Sequence, residues 1–274
     1  MSRAATARRV VVAVGIAGSL LLTGCGAEPT GWSLPPAGAV VDYQLGGGYE
    51  PAPGVGGVAR DSTDEPEPGL YSICYVNGFQ TQPGEAATWL DEHADLVLRD
   101  AAGVPVADPA WPDEMLLDTS TAQRRTAIAE VLTPVLHRCA SAGFDAVELD
   151  NLDSWTRSDG RLTMDGAIDL AARLVAVAHA DGLAVAQKNA PDLGTRGRDE
   201  AGFDLVVAEE CHRWDECTAY SDVYGTAVID IEYSDDLRGT FADACADPAT
   251  PASTVLRDRD LAPAGAPGHV FDSC

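Results

Sequence analysis

Short apolar runs alternate with longer amphipathic segments along most of this 274-residue chain, and that alternation limits the folds open to it. The runs of strand length are residues 39–45, 70–76, 114–118, 145–150, 183–188, 204–210, 227–233 and 253–258. Segments with apolar residues at helical spacing are 85–98, 121–142, 164–180 and 237–246. Eight strands alternating with helices predict a single-domain α/β fold, a (β/α)8 TIM barrel. No G-x-G-x-x-G motif follows the first strand, which argues against an open nucleotide-binding sheet.

Local signals between these segments place several boundaries. Residues 46–69 are too rich in Gly and Pro for a helix, so we expect a long loop after the first strand. The Asp-Thr-Ser cluster at 118–120 is a good N-cap for the next helix, which Pro134 is expected to kink or split. Gly143 and Gly182 lie where helix C-caps belong.

The N-terminus has the pattern of an export signal. Three arginines precede a short apolar run that ends in Leu-Thr-Gly-Cys at residues 22–25, which resembles the lipobox of bacterial lipoproteins. No other run is long and apolar enough to span a bilayer. We therefore expect an exported protein that is attached to the outer face of the cell membrane by a lipid on Cys25. The predicted divisions are a signal peptide at 1–24, the lipidated Cys25 and tether at 25–37, and the barrel at 38–274.

The formal net charge of −25 narrows the choice of partner. Nucleic acid is excluded as a partner because phosphate contacts need a basic surface. A cationic substrate suits this charge, since an acidic cleft concentrates cations. Acidity for solubility alone is the simpler explanation, so the charge does not decide the function.

Six cysteines remain once Cys25 is assigned to lipidation, and an even number in an exported protein predicts disulfides. Only Cys211 and Cys217 are close enough in sequence to form an obvious small loop. We complete the set so that the C-terminal tail is held to the domain. Cys245 with Cys274 would hold that tail and leave Cys74 with Cys139, but the spacing supports only the Cys211–Cys217 pair, and the six cysteines allow fifteen connectivities. The cysteine spacings match no zinc finger, and we predict neither a metal site nor a cofactor.

Acidic and polar residues gather where the predicted strands end, which is the end that carries function in such barrels. The fourth strand runs into VELDNLDSW at 147–155, with several carboxylates that would be costly to bury unpaired. The strand-end polar residues are Asp42, Tyr43, Gln44, Tyr75, Asn77, Asp118, Glu148, Asp150, Asn151, Asp153, Gln187, Lys188, Asn189, Glu209, Glu210, Asp230, Glu232 and Tyr233. Asp118 and Asp153 taken singly are better explained as helix caps or solvated loop residues.

Lys188 is the one lysine of the chain. The simplest explanation is that the composition strongly prefers arginine and that one lysine is present by chance. Its position at a strand end among acids favours a functional role, in which a compact ammonium balances carboxylates and donates hydrogen bonds to a substrate. Two carboxylates on different strands facing one cleft are also what glycosidic cleavage needs. Aromatic side chains suited to stacking on sugar rings are Trp155, Trp214, Tyr43 and Tyr233.

Seven motifs occur in order along the predicted strands: DYQL, CYVNG, LDTS, GFDAVELDNLD, LAVAQKNAPDL, FDLVVAEEC and IEY. Together they resemble glycoside hydrolase family 114, the endo-α-1,4-polygalactosaminidases, from about residue 31 to the C-terminus. The resemblance implies a TIM-barrel glycosidase that acts on α-1,4-linked galactosamine polymers. The chain departs from the common pattern at Leu149, where family members often have Pro, and in the CYVNGFQTQP loop.

The resemblance identifies Asp150 and Glu209 as the two catalytic carboxylates, with Asp150 favoured as nucleophile and Glu209 as acid and base. It also matches Asp42, Lys188, Asn189 and Glu232 to active-site positions. Strand alternation makes Glu148 and Asp150 cofacial but leaves Glu209 and Glu210 unresolved. The predicted substrate-binding residues are Asp42, Tyr43, Gln44, Asn77, Glu148, Asn151, Asp153, Lys188, Asn189, Glu210, Glu232 and Tyr233.

Because free galactosamine is cationic near neutral pH, we hypothesise that the acidic cleft prefers de-acetylated stretches of a polysaccharide. We expect a monomeric, endo-acting enzyme. The alternative is a cell-surface protein that binds a cationic glycan without cutting it. A third reading is a divalent-metal site built from Asp42, Asp150 and Asp153, since carboxylate oxygens suit Ca²⁺ or Mg²⁺.

Overall fold

The computed structural model describes Met1 and residues 31–274. Residues 2–30, which include nearly all of the predicted signal peptide, Cys25 and the first five residues of the tether that follows it, lie outside the described residues. Within the described part of the chain, no helix has the length and apolar character needed to cross a membrane.

The predicted barrel is confirmed. Nine strands form one sheet in chain order, and each of the first seven pairs in parallel with the next. β1 and β8 also contact each other, so the sheet is nearly closed. The ninth strand adds to β8 in antiparallel orientation. The strands are β1 Val41–Tyr43, β2 Gly57–Asp61, β3 Tyr71–Asn77, β4 Ala146–Asp150, β5 Ala184–Lys188, β6 Leu205–Glu209, β7 Val228–Tyr233, β8 Ser253–Arg257 and β9 Phe271–Ser273.

Two strand assignments from the sequence were wrong. Residues 114–118 form only isolated antiparallel bridges, and the buried Leu116 and Leu117 explain why this segment resembles a strand. The second barrel strand is β2, which lies inside the segment predicted as a loop. Gly57 is required at its start, because a Cβ there would lie 2.9 Å from the Tyr71 carbonyl oxygen. Gly57 is needed for the close approach of two backbones, but it also adds to the glycine content that made this segment look like a loop. The strand was therefore not predicted.

Helices cover the outside of the sheet. The prediction for α3 is confirmed to the residue, and α2 continues through Pro134 without interruption. Thr121 caps α2 by accepting a hydrogen bond from the Arg124 backbone N–H at 3.3 Å, and Gly143 ends it with a left-handed φ of 98°. The helices are α1 Ala86–Glu92, α2 Ala122–Ala142, α3 Met164–Ala180, α4 Cys211–Trp214, α5 Cys217–Tyr224 and α6 Phe241–Ala246.

Two apolar layers hold this architecture together. Alternate strand residues such as Val41, Ala186 and Ile231 fill the inside of the barrel. The other layer lies between the sheet and α2 and α3, and includes Val147 and Leu174. A filled interior leaves open space only at the barrel ends, which is why functional groups collect there.

Three disulfides join the six described cysteines, which confirms the Cys211–Cys217 pair and selects one of the connectivities that the sequence left open for the other four. The first connects β3 to α2, the second closes the turn between α4 and α5, and the third ties α6 to the last residue of the chain. The pairs are Cys74–Cys139, Cys211–Cys217 and Cys245–Cys274.

Candidate active site

An open cavity of about 600 Å³ lies at the carboxyl ends of the barrel strands. Eight acidic and three basic side chains contribute to its wall, so the wall carries a net negative formal charge. The acidity of the chain is therefore concentrated where the strand-end pattern predicted it. The predicted site residues that line the cavity are Tyr43, Asp150, Asn151, Asp153, Lys188, Asn189, Glu209, Glu210 and Tyr233.

Lys188 stands at the centre of the charged groups, at the end of β5. Its side chain is 3% exposed, and its Nζ donates to Glu148 Oε1 and to the Tyr43 hydroxyl, each at 2.8 Å. Asp150 Oδ1 lies 3.7 Å from Nζ and Glu209 Oε2 lies 3.5 Å from it. Burial would lower the pKa of Lys188, but the three carboxylates raise that pKa well above its usual value. The ammonium therefore stays charged and links acids from β4 and β6.

Asp150 is the last residue of β4 and is held by two donors. Its Oδ2 accepts a hydrogen bond from the Tyr75 hydroxyl, and its Oδ1 accepts from the Asn151 backbone N–H at 2.7 Å. Glu148 precedes it by two residues and reaches the same ammonium group. Because side chains two apart on a strand share a face, the predicted cofacial arrangement of Glu148 and Asp150 is confirmed.

Glu209 ends β6 and faces Lys188. It accepts hydrogen bonds from the Tyr233 hydroxyl and from Asn189 Nδ2, the latter at 3.1 Å. Burial would raise the pKa of Glu209, but the Lys188 charge and these two donors lower that pKa overall. The carboxyl group is therefore ionised in the free protein.

The backbone turns sharply just after each of these strand-end groups. Asn151, Asn189 and Glu210 have φ values of 59°, 47° and 60°, in the left-handed region that non-glycine residues seldom occupy. At the end of β6 this turn separates the two neighbouring glutamates. Glu209 continues the inward face of the strand, while Glu210 pairs with Arg259 at 2.8 Å. The ambiguity that strand alternation left between them is resolved in this way.

Tyr43 and Glu148 form a layer beneath Lys188. The Tyr43 hydroxyl donates to Glu148 Oε1 at 2.7 Å, and both residues are buried. Burial raises the pKa of Glu148, against the opposing effect of Lys188, and burial with the neighbouring carboxylates raises the pKa of Tyr43. Glu148 supports the ammonium from below and does not line the cavity itself.

A second group of cavity residues was missed in the sequence. Glu114 Oε2 accepts from Asn77 Nδ2 at 2.8 Å and from Asn151 Nδ2 at 3.3 Å. Asp108 pairs with Arg157, whose Nη2 also donates to Asn151 Oδ1 at 3.0 Å. Asp108 and Glu114 come from the segment between α1 and α2, where the sequence predicted a barrel strand at 114–118 that the structure does not form. Asn77, predicted to bind substrate, instead lies behind Glu114 and positions it.

Asp42 and Gln44 do not reach the cavity, which corrects their prediction as substrate-binding residues. Asp42 is 1% exposed, and its Oδ1 accepts from Arg257 Nη1 at 3.0 Å and from the Tyr49 hydroxyl at 2.8 Å. Gln44 Nε2 donates to the other oxygen of Asp42 at 2.9 Å. Neighbouring residues on a strand face opposite sides, so Tyr43 enters the site and its neighbours do not.

Glu232 is likewise placed away from the cavity. Its neighbours on β7, Ile231 and Tyr233, belong to the inward-facing layer, so Glu232 faces the outside of the barrel. It is fully buried there, and its Oε1 accepts from the backbone N–H groups of His212 at 2.8 Å and Arg213 at 3.3 Å. Glu232 therefore holds α4 in place and does not reach the cavity where substrate was predicted to contact it.

The aromatic side chains are only partly where they were expected. Tyr43 and Tyr233 line the cavity, but Trp155 and Trp214 do not. Trp155 packs against the apolar layer, and Trp214 lies under the Arg213 guanidinium on the surface. The tryptophan at the cavity is Trp111, which is 62% exposed and was missed because it lies in an irregular segment.

The placement of the acids does not favour the metal-site reading. Asp42 is bound by Arg257, and Asp153 Oδ1 accepts from Arg157 Nη1 at 2.8 Å. Asp150 is bound by Tyr75 and lies near Lys188. Each carboxylate thus has its own donors, and the three do not converge on one point.

Comparison with known proteins now decides the family. The model of glycoside-hydrolase family GH114 matches residues 23–274. The chain belongs to this family. The membership confirms the prediction of a glycosidase.

Solved structures agree with the fold of this GH114 chain. One is Aspergillus fumigatus Ega3 in complex with galactosamine, with 22% identity and a TM-score of 0.70 over 91% of this chain and 100% of that chain. Another is the glycoside hydrolase domain of PelA from Pseudomonas aeruginosa, with 16% identity and a TM-score of 0.59 over 86% of this chain and 99% of that chain. A search of curated protein sequences gave no match.

Proposed function

We propose that this GH114 protein is an endo-acting hydrolase of α-1,4-linked, galactosamine-containing polysaccharide. The observation that carries the proposal is the buried Lys188 ammonium with Asp150 and Glu209 on either side of it at the mouth of the barrel. The galactosamine bound to Ega3 supports the sugar class. The open cavity suits a chain that continues beyond the cleaved unit in both directions.

The spacing of the two carboxylates favours a double displacement. Both oxygens lie within 3.7 Å of Lys188 Nζ, so they can be no further apart than about twice that distance. Retaining glycosidases have carboxyl groups about 5–5.5 Å apart, and inverting ones about 6.5–9.5 Å. This upper limit admits the whole retaining range and only the short end of the inverting range, so we propose retention of the anomeric configuration.

In the proposed first step, an Asp150 oxygen attacks the anomeric carbon as the glycosidic C–O bond breaks. Glu209 gives its proton to the departing oxygen, and a glycosyl ester forms on Asp150. In the second step water attacks the anomeric carbon, the ester bond breaks, and Glu209 takes the proton from that water. The Lys188 charge stabilises Asp150 as a leaving carboxylate in this step.

The low pKa of Glu209 in the free protein bears on this division of roles. An ionised group suits a base or a nucleophile, whereas the first step needs a proton donor. The role of Glu209 as acid therefore requires that substrate weaken its contacts with Lys188, Tyr233 or Asn189. In the alternative assignment, Glu209 is the nucleophile and Asp150 is the acid and base. Chemical rescue with azide distinguishes the two assignments.

The direct test is release of reducing ends from partly de-acetylated α-1,4-galactosaminan by residues 26–274. Asp150→Asn and Glu209→Gln are each expected to lower kcat by a factor of at least about 1,000, because each removes one carboxylate of the pair. Polymer that is bound by all three proteins but cut by none would instead support a binding protein.

The acidic wall also supports a preference for unsubstituted amino sugars. An ammonium group gains electrostatic energy in a negatively charged cleft, whereas an N-acetyl group does not. We expect faster turnover of de-acetylated than of fully N-acetylated polymer of the same length. Equal kcat/KM values for the two polymers would contradict this preference.

We further propose that the protein is monomeric, exported and anchored to the outer face of the cell membrane through Cys25. The support is the lipobox-like sequence at residues 22–25, which lies outside the described residues. Cys25→Ser is expected to abolish incorporation of a labelled fatty acid and to release the protein from the membrane fraction. Unchanged labelling of this variant would contradict the anchor.

A further inference from the structure

Glu114 is deeply buried in the cavity wall and yet has an oxygen without a partner. The residue is 6% exposed and lines the cavity. Its Oε2 is held by Asn77 and Asn151. Over residues 31–274, no group donates a hydrogen bond to its Oε1 and no cation pairs with it. Two amides thus fix the carboxylate while one oxygen remains available to a ligand.

Asp108 provides the contrast within the same cavity. It is 1% exposed and also lines the wall, but Arg157 Nε and Gln80 Nε2 both donate to its Oδ2. A buried carboxylate is costly unless it is paired, and Asp108 meets that requirement within the protein. Glu114 accepts hydrogen bonds only from two neutral amides, so a cation that enters the cavity is the charged partner that the protein itself does not supply.

Glu114 is connected to the catalytic residue Asp150 through Asn151, and all three residues line the cavity. Asn151 donates through Nδ2 to Glu114 and through its backbone N–H to Asp150. One residue thus connects the two carboxylates, so a group bound to Glu114 Oε1 belongs to the sugar unit at Asp150 or to the unit beside it.

We propose that Glu114 binds the ammonium group of an unsubstituted amino sugar and is the residue that discriminates against N-acetylated units. The inference rests on the proposed function and names the specificity-determining residue within it. An ammonium offers a charge-assisted hydrogen bond to Oε1. An acetamido group at the same place brings no charge and more bulk, and leaves the carboxylate uncompensated.

The titration of Glu114 agrees with this role. Burial raises the pKa of Glu114 to about 7, with further increases from Asp150 and Asp108 and decreases from the Asn77 hydrogen bond and Arg157. The empty site is therefore partly protonated near neutral pH, and a bound cation shifts it to the ionised form. The affinity for a cationic oligosaccharide should fall as the pH drops below about 7, and the affinity for a neutral one should fall less.

The test compares Glu114→Gln with the wild-type chain on two α-1,4-galactosamine oligosaccharides of equal length, one de-acetylated and one fully N-acetylated. Loss of a charged hydrogen bond lowers kcat/KM for the de-acetylated oligosaccharide by about 10–100-fold. For the N-acetylated one, kcat/KM should change less than about threefold. Asp113→Asn is the matched control, because it removes the same charge from the neighbouring, exposed residue, which does not line the cavity.

An equal loss on both oligosaccharides would overturn the inference, since Glu114 would then only position Asn151. If neither oligosaccharide is cut, the affinity of each oligosaccharide is measured by calorimetry instead. The two proteins compared are Asp150→Asn and the double variant Asp150→Asn, Glu114→Gln. Tighter binding of the de-acetylated form that disappears with Glu114→Gln supports the inference even if the hydrolase proposal fails. Identical binding by the two variants overturns it.

Discussion

At the scale of single residues, the site depends on one ammonium group. Lys188 compensates Glu148, Asp150 and Glu209 in a place where water reaches little of it. Three carboxylates this close together repel one another and would otherwise bind protons. Lys188 could be singled out in the sequence because it is the one lysine of the chain. The alternation of β4 likewise predicted that Glu148 and Asp150 face the same side.

Lys188→Met should damage both activity and stability. It leaves buried carboxylates without a counter-charge, which typically costs about 3–5 kcal/mol. We expect kcat to fall at least about 100-fold and the midpoint of urea unfolding to decrease. Lys188→Arg should not restore activity, because the planar guanidinium does not fit a site built for a compact ammonium. Near-normal kcat in either variant would contradict the central place of Lys188.

Tyr233→Phe should move a limb of the pH–rate profile. The hydroxyl donates to Glu209 and favours its ionised form, so its removal raises the pKa of Glu209. The limb controlled by Glu209 should shift to higher pH by about one unit. Tyr49→Phe is the control, because its hydroxyl binds Asp42 outside the cavity. A shift of equal size in both variants would contradict the assignment of that limb to Glu209.

At the scale of elements, strand alternation predicted which way a side chain faces, whereas the sequence did not predict the positions of residues in the connecting segments. The period of two placed Glu148 and Asp150 correctly, and the same rule, applied to β7 with known inward residues, puts Glu232 outside. The resemblance carried Glu232 into the site without regard to its direction. Glu114 was missed because it begins the run at 114–118, which was wrongly predicted to be a barrel strand with its functional end at Asp118. Trp111 precedes that run and has no periodic neighbours that could place it.

Glu232→Gln tests the outward placement on β7. Burial raises the pKa of Glu232, and burial with the charge of Glu232 raises that of Asp230. The folded protein then holds protons that the unfolded chain releases, so stability falls as the pH rises above the unfolded carboxyl pKa of about 4. The amide keeps an acceptor for the His212 backbone N–H and carries no charge, so its burial does not depend on binding a proton.

We expect this variant to be more stable than the parent by about 1 kcal/mol at about pH 8 and equally stable at about pH 4. Its kcat/KM should be unchanged. Unfolding in urea at the two pH values gives the stability, and reducing-end release gives the activity. A raised KM with no gain in stability would return Glu232 to the substrate site.

At the scale of the whole molecule, covalent links hold distant parts of the barrel. Cys74–Cys139 spans 65 residues and joins β3 to α2, whereas Cys211–Cys217 spans 6. In the chain-entropy account, the longer loop restricts the unfolded chain more. The eight-strand barrel followed from the sequence, whereas the Cys74–Cys139 pairing was one of several possibilities. β2 was missed because it lies in a Gly- and Pro-rich segment and begins at a glycine required for close approach, and β9 has only three residues.

Replacing both cysteines of one pair by alanine, for each pair in turn, should show which disulfide contributes more to the free energy of unfolding. Loss of Cys74–Cys139 is expected to lower the free energy of unfolding by about 4 kcal/mol, and loss of Cys211–Cys217 by about 2 kcal/mol. Unfolding in urea without reductant measures both values. The reverse order would show that local packing around each pair outweighs the restriction of the unfolded chain.

The most direct test of the paired-carboxylate site is rescue by azide, which replaces a missing carboxylate as nucleophile. Asp150→Gly and Glu209→Gly are each incubated with de-acetylated polymer and azide, and the azide-capped products are examined by NMR. If Asp150 is the nucleophile of a retaining enzyme, its variant yields β-glycosyl azide and the Glu209 variant yields α-glycosyl azide. Products of the opposite configurations would reverse the two roles, and the absence of rescue in both variants would contradict the site itself.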